Sequence, residues 1–234
     1  MSNFRFTRPE TFPPIIKNLI IINVIVWLAQ LMYDKQYQIT DKIGLWPVES
    51  PHFKPYQVVT HMFAHSPDLF FHILFNMLTL WMFGRILENV WGHKRFLLFY
   101  LACGIGSAIA HMTVEYFQYH DVIVYADMLK MTGQYQEAER ILAMPVYAVG
   151  ASGAVMGVMV AFAFLFPNTE LYLMFLPIPI KAKWAIIGFV ALDLFGGVNP
   201  TQGDNIAHFA HLGGALTGFI IVYFWNRTNK RTLY

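Results

Sequence analysis

The chain has 234 residues, 56% of them hydrophobic and 13% charged, a balance too apolar for a soluble domain of this length. Its net charge of +2 gives no reason to expect nucleic acid as a partner, and a single cysteine, Cys103, excludes an internal disulfide. What remains is one integral membrane domain, 1–234, held together by helix packing.

Six apolar segments follow one another: 15–32, 69–83, 96–114, 146–166, 184–198 and 206–225. Arg5, Arg8 and Lys17 precede the first segment's run "LIIINVIVWLAQLM", which resembles a signal peptide, but no small-x-small cleavage site follows, so it is a retained span. Residues 33–68 form a long first loop rich in Pro, His and aromatics. Residues 119–145 form an insertion, polar and periodic enough for one or two amphipathic helices resting on the membrane surface. The fifth segment contains Asp193 and follows a stretch broken by Pro177 and Pro179, which leaves open whether it crosses or lies at the interface.

With six crossings and both termini inside, five of the 16 Lys and Arg residues fall outside (Lys35, Lys42, Lys54, Lys130, Arg140) and the other 11 inside. That bias fits the concentration of basic residues on the cytoplasmic side and sets the orientation. The basic residues are topological markers.

Polar groups inside spans are costly and tend to face the bundle interior. The second, fourth and sixth spans run in the same direction, so His72 and Asn76, Ser152, and His211 (roughly 8 Å into its helix) share one layer near the outer face. His72 and Asn76 are four apart and project from one helix face. Gly153, Gly157 and Ala161 form one row of small residues, and Gly214 and Gly218 another, so the fourth and sixth helices are expected to pack closely and bring Ser152 to His211. A fourth helix beginning near Gly150 opens below the outer surface, where its unpaired N–H groups suit a developing oxyanion.

Serine needs a base to become a nucleophile, and neutral imidazole serves near pH 7. Ser152 is therefore the candidate nucleophile, His211 the base and later acid, and His72 and Asn76 the oxyanion donors, with the Ser152 backbone N–H. Asp193 and Asp204 are candidates for a third member by sequence proximity alone, so a dyad is favoured. His208 is the competing base, expected to point elsewhere because the helix turns between it and His211.

These motifs resemble the rhomboid family of intramembrane serine proteases over roughly 56–224. "THMFAHSPDLFFHILFN" is similar to its first loop and second helix, "GASG" to its GxSG motif and "AHLGGALTG" to its last-helix histidine motif. The resemblance implies an all-α, six-transmembrane-helix bundle with a core of about 56–226 and a water-accessible polar cavity near the outer face. It implies hydrolysis of peptide bonds in or near transmembrane segments by a Ser152–His211 dyad, with His72 and Asn76 at the oxyanion. Transmembrane proteins are the implied substrates, membrane lipid the surroundings, and no metal or organic cofactor is needed. The setting it suggests is a bacterial cytoplasmic membrane. Two departures stand out: many bacterial members carry a Trp-Arg pair where this chain has "FKPYQ", 53–57, and Met156 occupies a position where some members stack an aromatic on the histidine.

Blander explanations exist for each residue. Ser152 could serve close packing, and His72 and Asn76 could bond across helices. His61 and His65 have metal-ligand spacing without an evident third ligand, and are taken to brace the first loop. A non-catalytic relative that binds transmembrane segments typically loses the serine or the histidine; a transporter would carry polar residues along its whole path. A di-iron oxidase would need clustered histidines, which nine without an adjacent pair do not provide. The Gly/Asn/Pro-rich stretch 196–205 is a plausible mobile cap.

Overall fold

The computed structural model describes residues 9–144, 146–172, 178–199 and 207–228, and within them the apolar segments are helical. The first turn of α1 (Pro14–Tyr37) leaves no open donor. Pro14 has no N–H, Ile15 and Ile16 donate to the two carboxylate oxygens of Glu88 at 2.9 and 2.8 Å, and Lys17 donates to the Pro13 carbonyl. Glu88 is buried and also meets His93 Nδ1 at 2.7 Å, so a negative charge on the second span caps the positive end of the first.

The first loop folds into α2 (Ile39–Ile43), α3 (Gln57–Thr60) and a 3-10 turn, His61–Phe63. Its anchor is Gln57, at the end of the stretch that departs from the family pattern. The buried carboxamide oxygen accepts from Lys54 N at 3.0 Å and Trp46 N at 3.5 Å, and the amide donates to the carbonyls of Lys42 and His52 at 3.2 and 3.1 Å. Gln30 of α1 ties the loop down from below, donating to Thr40 Oγ1 and accepting from His65 N.

The second span is α4 (Phe70–Thr79), a π turn (Leu80–Gly84) and α5 (Arg85–Trp91) in one continuous run of 22 residues. It runs past its expected end at 83 because the Glu88 carboxyl is satisfied by the N–H groups of α1 and Gly84 stays helical, so the chain turns only at Gly92, with its φ of 80°.

Helix α6 (His93–Met131) corrects the expected organisation of the insertion. No Gly or Pro stands between Gly106 and Gly133, so the helix continues for 39 residues, about 58 Å against the ~30 Å of a bilayer core. The first 13 residues of the insertion, 119–131, are thus a coaxial extension of the third span, not a separate helix on the surface. Gly133 (φ 82°) ends it, and α7 (Tyr135–Leu142) folds back so that Ala138 packs on Ala126 and Leu129.

Helix α8 (Ser152–Leu165) is shorter than the predicted 146–166. The residues before it are held extended: Leu45 and Ala148 exchange both backbone hydrogen bonds at 2.9 and 3.0 Å, and Gly150 N donates to the His61 carbonyl at 3.0 Å. Ten of its 14 residues are buried, with α6 and α10 against it. A two-stranded hairpin, β1 (Glu170–Tyr172) antiparallel to β2 (Pro179–Lys181), leads into α9 (Ala182–Val198), and α10 (His208–Thr228) closes the described chain. Pro177, Asp204 and residues 200–205 of the candidate cap lie outside the described residues.

The contact between α8 and α10 is close enough to exclude side chains. A Cβ on Gly214 would run into the Gly153 carbonyl, and one on Gly218 would lie 2.7 Å from Gly157 Cα. Four of the described helices, α1, the α4–α5 run, α6 and α10, are long and apolar enough to cross a membrane; α8 and α9 are shorter, at 14 and 17 residues. The start of α1 and the end of α10 meet the α5–α6 turn at one end of the bundle: Glu10 exchanges hydrogen bonds with Asn89, and Trp225 packs on Trp91 and Phe99. Arg85 lies over the Trp81 ring and Arg95 over Trp225 at this end. The α6 extension meets the first loop at the other end through His120 and Glu49, 3.4 Å apart. The chain is an all-α, multi-pass membrane protein.

Candidate active site

Ser152 is the first residue of α8, so its own N–H and those of the next residues have no partner inside the helix. Gly150, two residues earlier, has a φ of 136°, a conformation that side chains rarely adopt. The chain can therefore pass from the loop into α8 while staying close to the ring of His72. A Cβ at Gly150 would lie 2.9 Å from His72 Nε2 and 3.5 Å from Ser152 Oγ, so a side chain there would crowd the imidazole, and both atoms lie close to this one point.

His211 lies one turn into α10, not two, because that helix begins at His208. Its Nε2 is 2.8 Å from Ser152 Oγ, across 59 positions of sequence. Its Nδ1 is 3.0 Å from Asp193 Oδ1 of α9. The same carboxylate oxygen is 2.9 Å from His208 Nδ1. His208 therefore does not point elsewhere. Three residues rotate a helix by about 300°, which leaves both histidines on one side. Of the two, His211 is the one that reaches the hydroxyl.

His72 Nδ1 accepts from Ser66 N–H at 3.3 Å, and its ring lies edge-on to the buried His65 ring with centroids 5.0 Å apart. Accepting at Nδ1 leaves the proton of the neutral ring on Nε2, the ring atom nearest Gly150. Asn76 is buried, and its amide is turned back along α4, donating to the His72 carbonyl at 2.8 Å. One of its two N–H groups is thereby used within the helix.

A pocket next to Ser152 is lined by His61, Ser107, His111 and Gly150. His61 Nδ1 donates to the Gln57 carbonyl at 2.9 Å, which leaves Nε2 as an acceptor. Burial holds its pKa at about 4, so it is neutral near pH 7. Ser107 and His111 were not singled out from sequence, although two polar residues four apart in an apolar helix are the same signal that identified His72 and Asn76. Among the described residues no group of His, Cys, Asp and Glu has the arrangement of a metal site.

The Rhomboid domain model matches residues 52–227. The chain is 29% identical over 162 residues to Rhomboid protein 1, mitochondrial, of Saccharomyces cerevisiae, an alignment covering 69% of this chain and 39% of that protein. It is 28% identical over 221 residues to RHOMBOID-like protein 12, mitochondrial, of Arabidopsis thaliana (92% and 59%), and 30% identical over 149 residues to the human Presenilin-associated rhomboid-like protein, mitochondrial (63% and 32%). It thus spans less than two thirds of the length of each. The matched region runs from the first loop to the end of α10 and includes the residues gathered around Ser152, and by that match the chain belongs to the rhomboid family.

Proposed function

We propose that the chain is an intramembrane serine endopeptidase that cleaves peptide bonds in or near transmembrane segments of other membrane proteins. The observation carrying this is the 2.8 Å contact between Ser152 Oγ and His211 Nε2, made between two helices that pack through glycine. At that distance the hydroxyl proton passes to Nε2 as Oγ attacks a substrate carbonyl. The tetrahedral oxyanion forms in the space bordered by Gly150, where His72 Nε2–H and the Ser152 backbone N–H are donors and the second N–H of Asn76 completes the set. His211 then gives its proton to the leaving amine. Water, deprotonated by the same imidazole, releases the acyl group and regenerates Ser152. Because a helix hides its carbonyls in hydrogen bonds, the substrate segment must unwind before it can react.

The short helices α8 and α9 complete a six-span bundle, with both termini on the side that carries most of the Lys and Arg residues. This bias favours termini inside, and the family resemblance suggests a bacterial cytoplasmic membrane. The mitochondrial relatives favour an organellar membrane as the second reading, and cell fractionation separates the two. A non-catalytic role in binding transmembrane segments is disfavoured, because a hydroxyl and an imidazole held in contact are not needed for it.

The test is labelling of detergent-purified protein by a fluorescent fluorophosphonate. The unaltered chain should label, and Ser152→Ala and His211→Ala should not. Labelling that persists in both would rule out this chemistry.

A further inference from the structure

We propose that Asp193 is the positioning residue of this site and that His208 holds it, so that four side chains from three helices act as one relay: His208, Asp193, His211 and Ser152. The inference rests on the hydrolytic function proposed above.

A carboxylate accepts hydrogen bonds and has none to give. With Asp193 Oδ1 3.0 Å from His211 Nδ1, that nitrogen must carry the ring proton, and the bare lone pair is then on Nε2, facing Ser152 at 2.8 Å. A neutral imidazole free of such a partner also populates the other tautomer, whose Nε2–H cannot take a proton from serine. When Ser152 Oγ attacks, its proton moves to Nε2 while the Nδ1 proton stays on Nδ1. The imidazolium so formed faces a negative charge, and no proton passes to Asp193.

The surroundings of Asp193 favour this role over a chance contact. It is the single carboxylate in the 17-residue α9, whose neighbours on the sequence are apolar. A charge in such a helix is expensive and tends to be kept where it has partners and a function. Two ring nitrogens converge on one of its oxygens, His208 from the first residue of α10 and His211 from one turn further on. One turn after Asp193 on α9, Gly196 makes room for the second ring: a Cβ there would lie 2.5 Å from His208 Nε2. The carboxylate is thus fixed from the side opposite the hydroxyl it serves.

The experiment measures the maximal rate of fluorophosphonate labelling and its half-saturating concentration for the unaltered chain and for Asp193→Asn, Asp193→Glu and His208→Ala. Asp193→Asn should lower the maximal rate by about 10² or more, with half-saturation changed by less than about threefold, and Asp193→Glu, which keeps the anion, should recover part of the loss. His208→Ala removes one donor and should lower the rate by about tenfold. An unchanged rate there would remove His208 from the relay. A second measurement needs no substitution in the relay's carboxylate: in protein carrying ¹⁵N-histidine, His211, assigned by its loss in His211→Ala, should be protonated at Nδ1. A Nε2–H tautomer, or an Asp193→Asn rate within about threefold of the unaltered one, overturns the inference. If labelling still depends on Ser152 and His211 in that case, the relay alone has failed; if it depends on neither, the hydrolytic function has failed with it.

Discussion

His72→Phe removes one N–H from the space beside Ser152 and leaves a ring in its place. In the folded chain Ser66 N–H approaches His72 Nδ1 at 3.3 Å, so the ring proton is on Nε2, the atom nearest Gly150, where the proposed oxyanion forms. Loss of one such donor costs about 10² to 10³ in turnover, or about 2.7–4 kcal/mol of transition-state stabilisation. The edge contact with His65, at 5.0 Å between centroids, contributes about 0.5–1.5 kcal/mol to folding and survives in phenylalanine but not in alanine. The two substitutions therefore separate chemistry from packing. Steady-state cleavage of a fluorogenic transmembrane peptide should show kcat reduced by about 10² to 10³ in both variants, with KM changed little. Thermal unfolding in detergent should show a clear loss of stability for His72→Ala alone. A His72→Phe protein that keeps its kcat while KM rises would refute the donor role and return His72 to packing.

Gly214→Ala places a methyl group against the Gly153 carbonyl and should force α10 away from α8. Overpacking of this kind costs about 1–3 kcal/mol of stability. A displacement of about 1 Å between Ser152 and His211 costs about 10² in rate, so activity should fall further than the melting temperature suggests. Full activity in Gly214→Ala would mean that the glycine contact does not set the distance between the pair. The pH dependence of stability follows from the first loop, where burial lowers the pKa of His61 to about 4 and of His65 to about 3, from an ordinary 6.5. Below pH 6.5 the unfolded chain binds protons that the folded chain refuses. Stability is therefore complete above that value and is lost as pH falls, through about 4 for His61 and about 3 for His65, by about 1.4 kcal/mol per unit per group. Melting curves at about pH 7.5 and about pH 5 should differ accordingly, and a flat profile would contradict the burial of these rings.

Much of the fold is written locally. A segment such as 206–225 is apolar enough to identify by composition, and small residues four apart mark the faces of α8 and α10 that can approach. Ser152 between two glycines, His72 and Asn76 on one helix face, and His211 beside a glycine row are likewise visible in the chain, because side-chain direction within a helix follows from its period. Element ends were harder to read. The long α6 continues because nothing stops it, whereas α8 starts late because Leu45 and His61, about a hundred positions earlier, bind the backbone of Ala148 and Gly150 and keep it out of a helix. The sequence could not reveal that pairing, since it depends on where the first loop comes to rest.

The sequence by itself determined that this is a multi-pass helical protein and which alcohol and imidazole could meet, since hydrophobic length and helical period are properties of neighbouring residues. The tertiary structure alone decided that Asp193 sits on the far side of His211, that His208 shares its oxygen, and that the amide of Asn76 turns back onto its own helix. Each of these depends on how one helix is rotated and tilted against another, and a residue step of about 100° separates a side chain facing a partner from one facing lipid. No local pattern encodes that rotation; the packing of all the helices together sets it.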